Sequence, residues 1–260
     1  MKKLFSLLIF LQLCVSAVFA DEIRFIQVDG LKYNPKSEAS VKAFDSMIES
    51  INKQKNVDFV IFSGDNIAKP DKEYLKEFLK SAKQLNSPIY IALGNKDINK
   101  KKGLGKTEYM KTFRKNIRFR SFMKNPNYSF IQKDVIFIVA DGSKEFVATP
   151  NGYYKSETIE LLKNKLEKSK GKNVIIIQHF PVVPPSIKDG YLTYKAEEYL
   201  NLISQYPNIK AVFSGLFGVN DERNVKGVLH VSTESAPTYR VVDIIDCETQ
   251  NPVIWSSVVQ

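Results

Sequence analysis

Cysteine and histidine are both scarce in this sequence. Its 260 residues include two cysteines, Cys14 and Cys247, and two histidines, His179 and His230. Two cysteines cannot build a disulfide scaffold or a cysteine-rich zinc module. Two histidines cannot fill a histidine-rich site that holds two metals. These shortages exclude small disulfide-stapled folds and histidine-rich dimetal centres.

Long apolar runs are also rare, since the only one of near-membrane length lies at the N-terminus. It covers Leu4 to Phe19, follows two lysines and is followed by Ala20 and two acidic residues. The run is short for a membrane span, which needs ~20 residues, and it has the order of a secretory signal. We predict a signal peptide at residues 1–20, cleaved after Ala20, and export to the periplasm or the extracellular space. The alternative is an uncleaved membrane anchor.

What is abundant is positive charge in an otherwise ordinary composition. Lys and Arg number 38 against 28 Asp and Glu, which gives a net charge of +10. Loss of residues 1–20 would reduce it to +8 and would leave Cys247 as the last cysteine, so no internal disulfide could form. A composition of 43% hydrophobic and 25% charged residues indicates a globular protein. We expect residues 21–260 to form a single domain.

Hydrophobic patterns alternate between strand-like and helical segments along the chain. Apolar runs predict strands at Ile23–Val28, Val57–Phe62, Ile89–Leu93, Val135–Ala140, Val174–Ile177 and Ala211–Phe213, and short strands near 227–232, 238–245 and 252–259. Helical spacing predicts helices at 38–54, 71–85, 156–168 and 195–205. Such alternation favours an α/β fold with mostly parallel sheets covered by helices. The late strands indicate a second sheet.

Polar residues cluster where the predicted strands end. The five clusters are Asp29-Gly30, Gly64-Asp65-Asn66-Ile67, Gly94-Asn95-Lys96-Asp97, Gln178-His179-Phe180-Pro181 and Gly215-Leu216-Phe217-Gly218. In open α/β sheets, ligands bind at the carboxyl ends of the strands. We therefore expect these clusters to form one site.

In order and spacing, the five clusters resemble the motifs of the calcineurin-like metallophosphoesterase superfamily. The resemblance runs from about residue 23 to 245. It implies an α/β four-layer sandwich in which two mixed β-sheets are flanked by α-helices. It also implies metal-dependent phosphoester hydrolysis, in which two divalent cations clamp the phosphoryl group and activate a water.

Three residues match metal-ligand positions of that family. By the resemblance, Asp65 is the carboxylate that bridges the metals and is central to catalysis, Asn95 is the amide ligand, and His179 is the isolated histidine ligand. The three belong to one metal position, so one divalent cation or none is expected. A mixed oxygen and nitrogen set suits Mn²⁺, Mg²⁺, Zn²⁺ or Fe.

Other ligand positions of the family are substituted. Lys96 replaces the histidine beside the asparagine, and Leu216 and Gly218 replace both histidines of the last motif. These losses do not support a two-metal mechanism.

The first motif can be aligned in two ways. Without a gap, Gly30 and Lys32 take the positions of an aspartate and a histidine, and both ligands are lost. A shift of one residue keeps Asp29 as a weaker candidate ligand, with Leu31 in place of the histidine.

Two functions follow from the substituted motifs. The first is an exported family member with weak or lost hydrolysis, in which Asp65, Asn95 and His179 hold at most one cation and Lys96 steadies the transferring oxygens. The second is a non-catalytic module that binds phosphate or a protein partner on the same fold. A phosphorylated small molecule or inorganic phosphate is the expected ligand. One hypothesis common to both is that the ammonium group of Lys32 or Lys96 neutralises Asp65; the alternative is that both are ordinary surface lysines.

A basic segment at residues 99–124 carries ten Lys or Arg and one acid, with aromatic residues between them. It could contact phosphate-rich polymers or anionic membrane surfaces. The alternative is a solvated helix and loop over the site. Export argues against a genomic nucleic-acid partner. His230 and Cys247 are expected to be buried structural residues.

Overall fold

The computed structural model of the protein describes residues 22–118, 120–147, 149–169, 171–187 and 193–260. The predicted signal peptide lies outside the described residues. Among the helices within these ranges, none combines the length and the apolar character needed to cross a membrane.

Thirteen strands and five helices make up these ranges. The strands are β1 Ile23–Val28, β2 Phe59–Phe62, β3 Ile89–Ile91, β4 Tyr128–Gln132, β5 Val135–Ala140, β6 Gly152–Tyr153, β7 Val174–Gln178, β8 Thr193–Tyr194, β9 Ile209–Ser214, β10 Asp221–Val225, β11 Val228–Ser232, β12 Tyr239–Ile245 and β13 Val253–Val259. The helices are α1 Glu38–Lys53, α2 Lys72–Ala82, α3 Lys106–Asn116, α4 Ser156–Lys168 and α5 Ala196–Ile203. A short 3₁₀ turn covers Lys100–Lys102.

The strands form two large mixed sheets and one small pair. The first sheet has the order β13-β12-β1-β2-β3, and the second has the order β10-β11-β9-β7-β5-β4. In the first sheet β1, β2 and β3 are parallel neighbours, and β12 and β13 add antiparallel pairs on the other side. In the second sheet the inner strands are parallel and an antiparallel pair stands at each edge. The short strands β6 and β8 pair separately.

The helices begin and pack as their sequences dictate. The side chain of Ser37 accepts a hydrogen bond from the backbone of Ser40 at the start of α1. Asp71 caps α2 in the same way, through the backbone N–H groups of Glu73 and Tyr74. Such caps satisfy N–H groups that have no partner within the helix. Both helices bury one apolar face in the core that also contains the first sheet.

The core has two parts because the second sheet buries both of its faces. Alternate residues of β5 illustrate the division: Phe137 faces the first sheet, whereas Ile138 faces α4 and α5. Edge-to-face aromatic contacts join the two sheets, with Phe25 of β1 5.6 Å from Phe137 and 5.3 Å from Phe213, measured between ring centroids. The result is the expected four-layer α/β sandwich of two mixed sheets flanked by helices.

The structure corrects some sequence expectations about individual elements. Strand β2 begins at Phe59 rather than Val57, and α2 is shorter at both ends than the predicted 71–85. The sequence patterns did not identify β4, β6, β8, β10 or the bounds of α3. Strand β10 lacks the apolar alternation that marks a half-buried strand, since all five of its side chains are exposed or half-buried.

His230 provides a test of the packing of β11. The imidazole is buried opposite Arg223 of β10, and within the described ranges its Nε2 atom has no hydrogen-bond partner. Burial, together with the positive charge of Arg223, lowers the pKa of His230 to about 4. The unfolded chain takes up this proton near pH ~6.5.

The folded state should therefore lose stability as the pH falls from ~6.5 to ~4, by roughly 3 kcal/mol from this residue alone. We expect His230→Leu to remove that part of the loss. Urea unfolding of both proteins at several pH values in this window measures the difference. Identical pH profiles for the two proteins would contradict the assigned pKa.

Candidate active site

The carboxyl ends of β1, β2, β3, β7 and β9 meet at one edge of the sandwich. Asp65 stands in the turn after β2 with a left-handed backbone at a φ of 51°. That turn is joined to the loop after β1 by two backbone hydrogen bonds, from Gly30 N to Gly64 O at 3.0 Å and from Lys32 N to Asp65 O at 2.7 Å. The side chain of Asp65 is therefore held at the interface between the two sheets, 5% exposed.

His179, at the end of β7, connects this turn to Asp29. Its Nδ1 atom lies 3.1 Å from the carbonyl oxygen of Ser63 and 3.3 Å from Asp29 Oδ1. Both neighbours accept hydrogen bonds, which assigns the hydrogen to Nδ1. The other ring nitrogen, Nε2, lies 3.6 Å from Asp65 Oδ1. One imidazole therefore separates two buried carboxylates.

Asn95 stands in the turn after β3, which packs against Asp65. It lies between Gly94, whose Cα is packed against Asp65, and Lys96, whose backbone N–H donates to Asp65 Oδ1 at 2.9 Å. Asn95 Oδ1 and His179 Nε2 are both buried and have no hydrogen-bond partner in the described part of the chain. The structure thus places His179 Nε2 3.6 Å from Asp65 Oδ1, with Asn95 in the adjoining turn, and the role of the three residues as ligands stays a prediction.

Three glycines allow this close packing. A Cβ atom at Gly64 would lie 2.4 Å from His179 Nδ1, and one at Gly94 would lie 2.3 Å from Asp65 Oδ1. At Gly215 the added atom would lie 1.7 Å from Asp29 Oδ1. Real Cβ atoms essentially never approach this closely, so each acidic or imidazole group has a backbone pressed against it.

Asp97 is a buried residue whose role the motifs did not reveal. Its carboxylate accepts hydrogen bonds from the backbone N–H groups of Asn66, Ile67 and Gly94, at 2.7, 3.1 and 2.8 Å. It therefore fastens the turn after β2 to the turn after β3. Burial, and then the charge of Asp65, raises the pKa of Asp97 to about 7. Its position at the end of the motif, two residues after Asn95, was the sequence signal that could have pointed to this role.

A buried chain of hydrogen bonds extends behind Asp29. Ser63 Oγ donates to Asp29 Oδ1 at 2.9 Å and accepts from Gln27 Nε2 at 3.0 Å. Gln27 Oε1 in turn accepts from Thr233 Oγ1 at 2.8 Å, and Thr233 Oγ1 accepts from Arg240 Nε at 3.2 Å. Sequence reasoning missed these residues, since they are scattered along the chain and belong to no compact motif.

The charges of the two carboxylates act on His179. Burial alone would lower the pKa of the imidazole, but the charges of Asp65 and Asp29 and the hydrogen bond to Asp29 outweigh it and raise the pKa to about 9. Burial raises the pKa of the Asp29 carboxyl, and the neighbouring imidazole opposes that shift. This geometry favours an imidazolium between two carboxylates, and a cation bound at Nε2 would have to displace the proton on that atom.

The hypothesis that a lysine neutralises Asp65 is wrong. Lys32 and Lys96 are both exposed, and in the described ranges neither ammonium group forms an ion pair with Asp65. Both lysines contact Asp65 through their backbone N–H groups instead. The Lys96 N–H donates to the carboxylate itself, whereas the Lys32 N–H donates to the backbone carbonyl of Asp65. The ionisable group next to the carboxylate is the His179 imidazole.

The structure decides between the two alignments of the first motif. The carboxylate of Asp29 lies in the site, which favours the alignment shifted by one residue over the alignment that puts Gly30 at the aspartate position. Its Oδ2 atom accepts a hydrogen bond from the backbone N–H of Leu216 at 3.1 Å. In the last motif, Leu216 and Gly218 both have left-handed backbones, at φ of 72° and 66°. No metal-binding side chain stands at either position.

Few side chains at this site are suited to bind a metal ion. Among the described residues, no group of three or more His, Cys, Asp and Glu side chains is arranged to hold a metal ion. His179 Nε2, 3.6 Å from Asp65 Oδ1, and Asn95 Oδ1 in the adjoining turn are buried without a hydrogen-bond partner in the described residues, so both are candidate donors. Fixing Nδ1–H on an acceptor leaves Nε2 as the ligating nitrogen, as in known metal sites. The two oxygens of Asp29 accept hydrogen bonds from Ser63 Oγ and from the backbone N–H of Leu216.

The basic segment 99–124 divides between core and surface. Helix α3 lies within it and buries Tyr109 and Phe113, whereas Phe122 is 45% exposed. Two of the interleaved aromatic residues therefore belong to the core, and the lysines of the segment are exposed except Lys106, which is half-buried beside Asp141. Cys247 is buried, as expected for a structural residue.

Comparison with known proteins adds a family to this geometry. The family model described as "Calcineurin-like phosphoesterase" matches residues 37–215. A probable cyclic nucleotide phosphodiesterase from Colwellia psychrerythraea is 25% identical over 201 residues, which cover 76% of this chain and 69% of the relative.

Two solved structures share the fold. A dimetal phosphatase from Danio rerio has a TM-score of 0.65 at 13% identity, covering 89% of this chain and 98% of the other. GAP50, described as the anchor in the inner membrane complex of Plasmodium, has a TM-score of 0.61 at 14% identity, covering 92% of this chain and 84% of the other.

Proposed function

Because the chain belongs to the calcineurin-like phosphoesterase family, we propose that it is an exported member in which metal-dependent phosphoester hydrolysis is weak or lost. Its ligand in this proposal is a phosphorylated small molecule or inorganic phosphate. Relatives and neighbours named as a phosphodiesterase and a dimetal phosphatase support a phosphoester ligand.

The engagement of Asp29 carries the proposal. Its Oδ1 accepts from Ser63 and lies next to His179 Nδ1, and its Oδ2 accepts from the backbone of Leu216. A cation at Asp29 would compete with these buried donors for the carboxylate lone pairs, and each donor that it displaced would cost ~1–3 kcal/mol. A second cation at Asp29 would have to share these oxygens with the protein donors that already bind them, which weakens the support for a two-metal reaction.

At most one cation suits the remaining donors. Asp65, Asn95 and His179 would hold it, and it would supply Lewis-acid polarisation of a phosphoryl oxygen. Asp29 and the carbonyl of Ser63 orient His179 through Nδ1. Lys96, exposed beside Asn95, is the cationic side chain placed to attract the charged oxygens of a ligand.

Phosphate binding through the turn backbones has little support. The N–H groups of Asn66 and Ile67 bind Asp97, that of Lys96 binds Asp65, and that of Leu216 binds Asp29. Carboxylates of the protein therefore take the donors that an anion would use. Charge attraction from the lysines is the remaining source of affinity.

A second candidate function is a binding module with no hydrolysis. The same engagement of Asp29 favours it, since a site closed by internal hydrogen bonds is stable without metal. The fold shared with GAP50, named as an anchor, supports a partner-binding role on this scaffold.

Metal content and turnover test the proposal directly. We expect the purified protein to hold no more than one equivalent of metal and to hydrolyse p-nitrophenyl phosphate and bis(p-nitrophenyl) phosphate weakly or not at all with Mn²⁺ added. Asp65→Asn and His179→Ala should abolish any activity, whereas Asp58→Asn, a carboxylate at the opposite end of β2, should not change it. Vigorous Mn²⁺-dependent turnover that both site variants remove would show that hydrolysis survives. A mature protein that begins at Asp21 would support export.

A further inference from the structure

A turn of three consecutive lysines lies on the surface shortly after the Gly94–Asp97 motif in the chain. Lys100–Lys102 form a 3₁₀ turn, and all three side chains are exposed. The Asn99 side chain accepts from the Lys102 backbone at 3.2 Å, and Asn99 and Leu104 exchange backbone hydrogen bonds at 2.8 and 3.3 Å. Leu104 is fully buried. The lysine turn is thus a closed, anchored loop that presents three positive charges.

Apolar side chains accompany the lysine turn at the surface. The backbone N–H of Lys100 donates to the carbonyl of Glu145 at 2.6 Å, which brings the loop after β5 alongside. In that loop Phe146 is 54% exposed and Val147 is 58% exposed. The Lys100 ammonium lies 5.0 Å from the centre of the Phe146 ring. Lysines and large apolar groups therefore share one face, which we call the lysine–phenylalanine patch.

The charge of the patch is largely uncompensated. Glu145 is the nearby acid: it lies 3.9 Å from Lys100 Nζ, and its other oxygen accepts from the Lys106 backbone. Among the described residues, Lys101 and Lys102 form no ion pair. Lys106 is already paired with Asp141 at 2.5 Å, so the acid of that pair does not offset the turn.

We propose that the lysine–phenylalanine patch docks the protein on an anionic lipid surface. Lysines beside such a surface gain attraction from the negative headgroups, and exposed aromatic and aliphatic groups gain by entering the headgroup region. A soluble polyanion would bind the lysines but would leave Phe146 and Val147 exposed to water. The inference does not depend on whether the active site is catalytic.

Vesicle co-sedimentation tests this docking. We expect the purified protein to bind vesicles of equal parts phosphatidylcholine and phosphatidylglycerol, and to bind phosphatidylcholine vesicles much less. Lys101→Glu combined with Lys102→Glu should lower the partition coefficient by about tenfold or more, since each lysine near an anionic surface contributes roughly a fivefold change. Phe146→Ser should weaken vesicle binding severalfold.

The control is Lys53→Glu combined with Lys55→Glu, which changes the net charge equally at the opposite end of the sheets, where both lysines are exposed. It should change binding far less. Equal effects of the two double variants, or equal binding to both vesicle types, would overturn the proposal. Binding of soluble polyphosphate that requires Lys101 and Lys102, without vesicle binding, would also overturn it in favour of a polyanion. Unchanged thermal unfolding shows that the variants fold.

Discussion

Replacement of Gly215 by Ala is expected to destabilise the protein by roughly 3 kcal/mol or more, as overpacking beside a buried charge does. The new Cβ would lie 1.7 Å from Asp29 Oδ1 and 1.9 Å from its Cγ. The carboxylate cannot turn aside without losing hydrogen bonds to Ser63, His179 and the backbone of Leu216. For a chain of this size the loss corresponds to a fall in Tm of about 6–12 °C.

Gly105→Ala is the matched control for Gly215→Ala. There the nearest atom to an added Cβ is Glu145 Oε2 at 3.0 Å, the end of a flexible side chain. We expect a change of about 1 kcal/mol or less, since the glutamate can move. Urea unfolding of the two variants measures both values. Equal stabilities would mean that the loop at Gly215 does not press on Asp29.

Substitution of Asp29 by Asn is expected to cost about 3 kcal/mol, although it changes one atom. Three donors point at the two oxygens of Asp29: the Ser63 hydroxyl, the His179 Nδ1–H and the Leu216 backbone N–H. An amide presents one oxygen and one NH₂ group, so at least one buried donor would face another donor. A buried donor without a partner costs ~1–3 kcal/mol. Removal of the Asp29 charge, which stabilises the His179 imidazolium, adds to this cost.

The same variant should change the titration of His179. The chain contains two histidines, so the imidazole C–H signals in the NMR spectrum can be assigned with the His230→Leu variant. In Asp29→Asn the pKa of His179 should fall below the value of about 9 that the two carboxylates and the hydrogen bond sustain in the native protein. Asp58→Asn, which alters a half-buried carboxylate with two partners, should cost less than about 1 kcal/mol. A His179 pKa that is the same in Asp29→Asn as in the native protein would contradict the contact between His179 and Asp29.

The fold could largely be predicted because its strands and helices carry strong apolar patterns. Strands such as β7, buried on both faces, read as continuous apolar runs. Helix α1 places Phe44, Met47, Ile48 and Ile51 on one buried face. Strand β10 escaped prediction because it lies at a sheet edge and its side chains are exposed or half-buried. Edge strands need only backbone pairing, which leaves little trace in the sequence.

The site was predictable in its members but not in its contacts. Asp65, Asn95 and His179 follow strand ends, and a shared sheet edge brings such positions together. Which group would neutralise Asp65 depended on side-chain direction, which no spacing encodes, and the lysines proved to contribute backbone N–H groups. The chain from Gln27 through Thr233 to Arg240 joins residues more than 200 positions apart, so local motifs could not reveal it.

The backbone of the last loop bears on how this scaffold could be converted into a two-cation enzyme, by selection or by design. Leu216, a non-glycine residue, already has a left-handed backbone at a φ of 72°. A histidine there would therefore add little backbone strain. Gly218, at a φ of 66°, has only hydrogen at that position, and a histidine would meet a backbone penalty of ~1–2 kcal/mol. Asp29 would also have to release the Leu216 N–H. An accessible mutational path would therefore begin at residue 216 and meet its steepest step at residue 218.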